Sequence, residues 1–284
     1  MRILRALLLS LLLVPFPAVA YDVLVLQSLH EKGYDEAVRG LKRSCQASMR
    51  TLVLSDYLEA DVVRIVREEG PRLVVAVGDR ALAVAQRLRD RPVLYMMALN
   101  AKPARELSTG VGMLHEPHRY LSVFDGLGVK RVGVVYDPAR SGGYVKRAQQ
   151  LARRLGIDLV VREVHSAKET PAMLESLRGK VDAVWMLPDL TAVSPASTEA
   201  YFLFAQGERV PVVTFAEVYL SLGGAVALGI DRFDIGRQLG EMAQSVLSGT
   251  SVEELPTQAP RRALFKANDG VLRRLKLSLS GAAP

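Results

Sequence analysis

The sequence predicts an α/β fold of two parallel-sheet lobes, and three observations predict it. Short β-branched apolar runs alternate with helical segments along nearly the whole chain. The runs are continuously apolar, as expected of strands covered by helices on both faces. The rhythm breaks once, near the middle, at a polar glycine-bearing stretch, and then begins again.

Before the break, strands are predicted at 22–26, 51–54, 73–77 and 93–97. After it they are predicted at 132–136, 159–161, 183–187, 210–215 and 225–228. Residues 100–113 read as a linker, and Pro117 marks the start of the helix that follows. The helices carry their own period. In 144–155, Val145, Ala148, Leu151, Ala152 and Leu155 line one face, and Lys146, Arg147, Arg153 and Arg154 fall outside it. Such repetition builds βαβ units. Two moderate sheets accommodate this many strands better than one open sheet.

Residues 1–20 read as a cleaved secretory signal peptide. Arg2 and Arg5 precede the apolar run 6–14, Pro15 and Pro17 break it, and Ala18-Val19-Ala20 suits a signal peptidase. The run is shorter than the roughly 20 residues that span a bilayer. No cysteine follows for lipid attachment. An exported, untethered protein fits the periplasm.

The formal net charge is +7, but the basic residues are scattered among acidic ones, which argues against nucleic-acid binding. Cys45 has no partner for an internal disulfide and reads as a small core residue of an amphipathic helix. No GxGxxG, Walker or GxSxG pattern is present, so no nucleotide cofactor or serine-hydrolase chemistry is indicated. His30, His115, His118 and His165 read as solvated loop histidines, with Pro117 interrupting the one close pair. No acid–base pair is singled out by spacing, and the expectation is a protein that is not an enzyme and uses no cofactor or metal.

The second half is more specific. Residues 181–189 read VDAVWMLPD, 210–215 read VPVVTF, and 223–231 read GGAVALGID, ahead of a helix over 233–247 with the core IGRQLGEMA. Residues 132–138 (VGVVYDP) and 71–85 (PRLVVAVGDRALAVA) add a looser match in the first half. This order resembles the periplasmic solute-binding proteins of the type I fold. It is most similar to the ABC-transporter substrate-binding family that includes aromatic amino-acid binders. Asp231 or Asp234 can cap the helix start. Gly223 and Gly224 permit unusual backbone angles. Gly236 and Gly240, four apart, permit close packing on a sheet.

The resemblance implies two Rossmann-like lobes joined by three crossovers, near 111–117, 227–234 and 251–260. The N-terminal lobe would be 21–112 plus 234–250, and the C-terminal lobe 113–233 plus 251–284. The ligand would lie between them at the carboxyl ends of the strands. That position implies ligand contacts from Ser28, Gly78, Asp79 and Asn100 in the first lobe. In the second it implies Asp137, Asp189, Thr191, Phe215 and Glu217. The chain departs from its relatives at two of these tips. Gly78-Asp79-Arg80 stands where amino-acid binders place a small hydroxyl residue, and Asp189-Leu190-Thr191 lacks the usual Asp-Asn pair. A carboxylate at Asp79 would repel a ligand carboxylate, with Arg80 available to offset it.

The function expected is a periplasmic solute-binding protein that captures a small molecule, an amino acid or related compound, and delivers it to an ABC permease at the inner membrane. The alternative is an exported sensory or envelope-assembly protein that keeps the fold without transport. Neither involves nucleic acid or stable membrane insertion.

Overall fold

The computed structural model describes residues 21–88, 90–99 and 108–280. The expected signal peptide and Asn100 lie outside the described residues. The first sheet has the order β2-β1-β3-β4-β5, all parallel. Its strands are β1 (Val23–Gln27), β2 (Met49–Val53), β3 (Leu73–Val77), β4 (Val93–Met96) and β5 (Ser108–Gly110). Between them run α1 (Lys32–Ser44), α2 (Glu59–Glu69) and α3 (Asp79–Ala85).

The chain then crosses to α4 (Pro117–Gly126) and a second sheet of order β11-β10-β9-β8-β6-β7. Its strands are β6 (Arg131–Tyr136), β7 (Asp158–Glu163), β8 (Ala183–Trp185), β9 (Val212–Thr214), β10 (Val226–Ile230) and β11 (Ala263–Ala267). Only β11 is antiparallel to its neighbour. The connecting helices are α5 (Pro138–Arg154), α6 (Thr170–Glu175) and α7 (Thr198–Glu208). After β10 the chain returns as α8 (Arg232–Leu247) to pack on α1, then crosses again into β11 and ends in α9 (Asp269–Leu275).

The continuous hydrophobicity has a direct cause. In the first sheet, Val23, Val25, Val75 and Val77 face α1 and α8, while Leu24, Leu26, Val74 and Ala76 face α2 and α3. In the second, Val132, Val134 and Trp185 join one core and Val135, Val184 and Met186 the other. Trp185 is fully buried among Tyr120, Phe124 and Tyr144, at ring-centroid distances of 4.9, 5.9 and 5.9 Å. Such aromatic contacts add to area burial.

Four details differ from the expectation. Ser108–Gly110, inside the stretch read as a linker, is strand β5. It lies so close to β4 that a Cβ on Gly110 would fall 2.0 Å from the Tyr95 carbonyl oxygen. Leu155 lies just past the end of α5 and is exposed, whereas Val145, Ala148 and Ala152 are buried as expected. Cys45 is buried but caps the C-terminus of α1. Gly236 and Gly240 approach α1, not a sheet: a Cβ on Gly236 would lie 1.8 Å from the Ala37 carbonyl oxygen. At the start of α8, Asp231 is the cap, its Oδ1 accepting from the Asp234 amide at 2.9 Å. Among the described residues no helix is long and apolar enough to cross a membrane.

Candidate ligand site between the sheets

β5 runs parallel to β4 and β10 parallel to β9, and each passes directly into a crossing segment, so the carboxyl ends of these strands adjoin the crossings. Open α/β sheets bind ligands at such ends.

On the first-sheet wall the structure brings Ser28, Gly78 and Asp79 together. Ser28 is buried, and its hydroxyl donates to the Val77 carbonyl and accepts from the Ala81 amide, both at 2.9 Å. It therefore caps α3 from the neighbouring strand. Gly78 precedes α3 with φ +91°, and a Cβ there would lie 2.6 Å from Ser28 Oγ and 2.7 Å from the Tyr34 hydroxyl. Backbone conformation and space both require glycine. Asp79 opens α3, and its Oδ2 is 3.4 Å from the Leu99 amide. Tyr34, absent from the strand-tip reading, belongs to this wall, and burial raises its phenol pKa.

On the second-sheet wall, Asp137, Asp189 and Thr191 form one network. Asp189 is 2 % exposed. Its Oδ2 accepts from the Asp137 amide at 2.9 Å and the Ser141 hydroxyl at 2.7 Å. Its Oδ1 accepts from the Thr191 and Ala192 amides at 2.9 and 3.0 Å. Asp137 caps α5 through the Ala139 amide at 2.9 Å and accepts from the Thr191 hydroxyl at 2.7 Å. Arg140 donates to Thr191 at 2.9 Å. The Thr191 hydroxyl, then the Ala139 amide and the Arg140 charge, lower the Asp137 pKa. Phe215 and Glu217 stand apart from this network. Phe215 packs edge-on against Tyr219, and Glu217 is exposed and ion-paired with Lys266 of β11.

A cavity of about 360 Å³ lies where the crossing segments meet, lined among others by Tyr95, Leu99, Met113, Glu116, Tyr144 and Arg147. Glu116 and Arg147 flank Tyr144, acting on its hydroxyl with opposite sign. The Arg147 guanidinium lies 5.9 Å from the Tyr144 ring centroid. Neither charged side chain has a hydrogen bond or ion pair among the described residues. Glu116, Tyr144 and Arg147 sit on helices and their caps, so a search of strand tips does not find them.

His115 borders the same cavity and corrects the reading of a solvated loop histidine. It is 1 % exposed, and its Nε2 is 2.9 Å from the Gly229 carbonyl oxygen. A carbonyl only accepts, so Nε2 carries the proton. Tyr144 donates to the His115 carbonyl at 2.9 Å. Burial, only partly offset by the Gly229 and Pro260 carbonyls, lowers the imidazole pKa.

Comparison with known proteins places this architecture. A "Tyrosine-binding protein" of Clostridioides difficile (strain R20291) is 25% identical over 150 residues, 52% of this chain and 43% of that protein. The chain thus spans less than half the length of that curated relative. The ligand-free, open structure of a substrate binding protein with adhesive properties from Clostridium difficile superposes with a TM-score of 0.70 at 17% identity, covering 91% of this chain and 95% of that one. An ABC domain in complex with L-Trp from Streptococcus pneumonia gives a TM-score of 0.63 at 20% identity, covering 92% and 96%. These two structures share the fold. The model of the family "ABC transporter substrate binding protein" matches residues 23–282, and the chain belongs to that family.

Proposed function

We propose that this chain is an exported, non-catalytic binding protein that captures a zwitterionic molecule of the amino-acid class between its two lobes and hands it to an ABC permease. The observation that carries the ligand class is the presence of Glu116 and Arg147, neither of them ion-paired among the described residues, in the lining of one cavity. A carboxylate suits the guanidinium, an ammonium suits the glutamate, and Leu99, Met113 and Tyr144 offer an apolar and aromatic lining for a side chain. The relatives described as binding tyrosine and L-Trp support the same class. In this reading Ser28, Gly78 and Asp79 shape the first wall. Asp137, Asp189 and Thr191 position the second through their mutual bonds, and the two carboxylates do not grip the ligand.

Isothermal titration of the purified protein with L-tyrosine, L-tryptophan and tyramine tests this. L-Amino acids should bind without turnover, tyramine should bind less well, and Arg147→Ala should weaken L-amino-acid binding about tenfold to a hundredfold. Equal affinity for tyramine, or an unchanged Arg147→Ala variant, would remove Arg147 from the site. The internal commitment of Asp137 and Asp189 favours a second reading, a sensory or envelope-assembly role. A native mass spectrum without bound small molecule, together with no response to any amino acid, would select it.

A further inference from the structure

The outer face of α7 is unusual in composition. Glu199, Leu203 and Gln206 are exposed in succession, and Arg209 lies just past the helix end. Leu203 is 60% exposed although it sits at the middle of the helix. It lines a groove of about 1070 Å³ together with Phe202, Leu222, Leu275, Arg209 and Arg274. Leu222 is itself 52% exposed. The side chains of Glu199, Arg209 and Arg274 have no hydrogen bond or ion pair among the described residues. The groove lies by the amino ends of β9 and β10, which Val210 and Gly223 precede. It shares no lining residue with the cavity that holds Glu116 and Arg147.

We propose that this face is a two-fold self-association surface, on which α7 of a second copy of the chain packs antiparallel. Charge order selects the second copy. From the first turn of α7 to its C-cap the order is negative, apolar, positive, with Glu199 and Arg209 about 15 Å apart at 1.5 Å per residue. Two-fold antiparallel pairing brings Glu199 of each copy level with the partner's Arg209 and sets the two Leu203 side chains beside each other near the axis. Each Leu203 then shields the other copy's groove. A different protein would need the same order of charges, whereas a second copy carries it necessarily. One helix and one loop make a small interface compared with the roughly 1,200–2,000 Å² of stable complexes. The net positive charge also opposes association. The dimer is accordingly concentration-dependent and best seen at moderate salt, where long-range repulsion is screened.

Sedimentation equilibrium of the purified protein over a concentration series tests this, with Glu199→Arg, Arg209→Glu and Leu203→Glu variants. The wild type should dimerise reversibly. Each charge reversal should raise the dissociation constant at least about tenfold, because like charges then meet at both ends. An equimolar mixture of Glu199→Arg and Arg209→Glu should restore dimers, since each copy then presents the charges the other lacks. Leu203→Glu should abolish them. All three positions are exposed, and circular dichroism checks that the variants fold. A wild type that stays monomeric up to about 1 mM overturns the proposal. So does a dimer indifferent to all three changes, or a mixture that fails to recover. If the monomeric wild type instead binds another protein through Leu203, the surface is a hetero-interface and self-association is wrong.

Discussion

The contact between α1 and α8 makes a sharp prediction, because backbone meets backbone there. A Cβ at Gly236 would lie 1.8 Å from the Ala37 carbonyl oxygen, 2.7 Å from its carbon and 2.9 Å from the Leu41 amide nitrogen. On the facing helix, a Cβ at Gly40 would lie 2.0 Å from the Phe233 carbonyl oxygen. None of these atoms can rotate away. With ordinary contact beginning at 3.4 Å, Gly236→Ala requires the helices to part by about 1.5 Å. That separation opens the packing of the buried Ala37, Leu41, Ile235 and Leu239. Overpacking costs about 1–3 kcal/mol and sometimes more. The gain in helix propensity returns at most about 1 kcal/mol. Because only rigid backbone receives the new methyl, the cost should fall at the upper end and the net loss near 2 kcal/mol. Urea unfolding followed by circular dichroism reads this as a lower midpoint at an unchanged slope. Gly143→Ala in α5 is the control: its nearest neighbour is the flexible Arg147 Nη1 at 4.0 Å, so stability should rise by up to about 1 kcal/mol. A Gly236→Ala protein as stable as the wild type would refute the close helix contact.

Three further predictions rest on single groups. His115 has a pKa lowered by burial, so the unfolded chain, near 6.5, binds its proton more readily. Stability should be complete above about pH 6.5 and decline as pH falls through and below it, and His115→Gln should flatten that slope in urea midpoints. Asp189→Ala leaves buried donors without their acceptor and should cost at least about 1–3 kcal/mol, a loss read in thermal unfolding that a purely ligand-contacting carboxylate would not produce. Gly78→Ala meets both a positive φ and the Ser28 and Tyr34 oxygens. It should destabilise by at least about 1–3 kcal/mol in the same assay, and a neutral result would show that the β3–α3 turn rearranges freely.

How far the structure could be read in advance depended on whether a feature is local. β1 and β3 were legible because apolar contact on both faces leaves an uninterrupted record in Val23–Leu26 and Leu73–Val77. The Asp231 cap was legible as one of two candidates. β5 was not, since Ser108–Gly110 carries no apolar run, and only the nearness of Gly110 to Tyr95 explains its composition. The strand tips were identifiable from topology. Nothing local, however, shows that Asp137, Asp189 and Thr191 bond to one another across two strands. His115 was misread because its burial is created by crossings more than a hundred residues apart in sequence. The cavity charges Glu116 and Arg147 escaped for the same reason.

The crossings also determine where a hinge motion would bend. The third crossing is fastened to the first sheet and α8 along most of its length. The Gln258 amide donates to the Gly110 carbonyl, and the Gly112 amide to the Gln258 carbonyl, both at 2.9 Å. Thr257 Oγ1 lies 3.2 Å from the Tyr95 hydroxyl, and Gln238 of α8 donates to the Gln258 side chain at 2.6 Å and the Ala259 carbonyl at 3.0 Å. Arg261 then grips Asp234 and Glu241 of α8, at distances from 2.7 to 3.2 Å. His115, in contrast, is bonded to Gly229 of β10 and Tyr144 of α5, both elements of the second sheet and its helices. A rotation of one sheet against the other is expected to bend outside this bonded stretch, at 113–114, 230–231 and 262. Motion at hinges concentrates in a few such residues. Hydrogen exchange with and without L-tyrosine should show altered protection at those three places and none at the Gln258 amide. Altered protection at Gln258 would mean that the third crossing moves with the second sheet, and the division of the chain would have to be redrawn there.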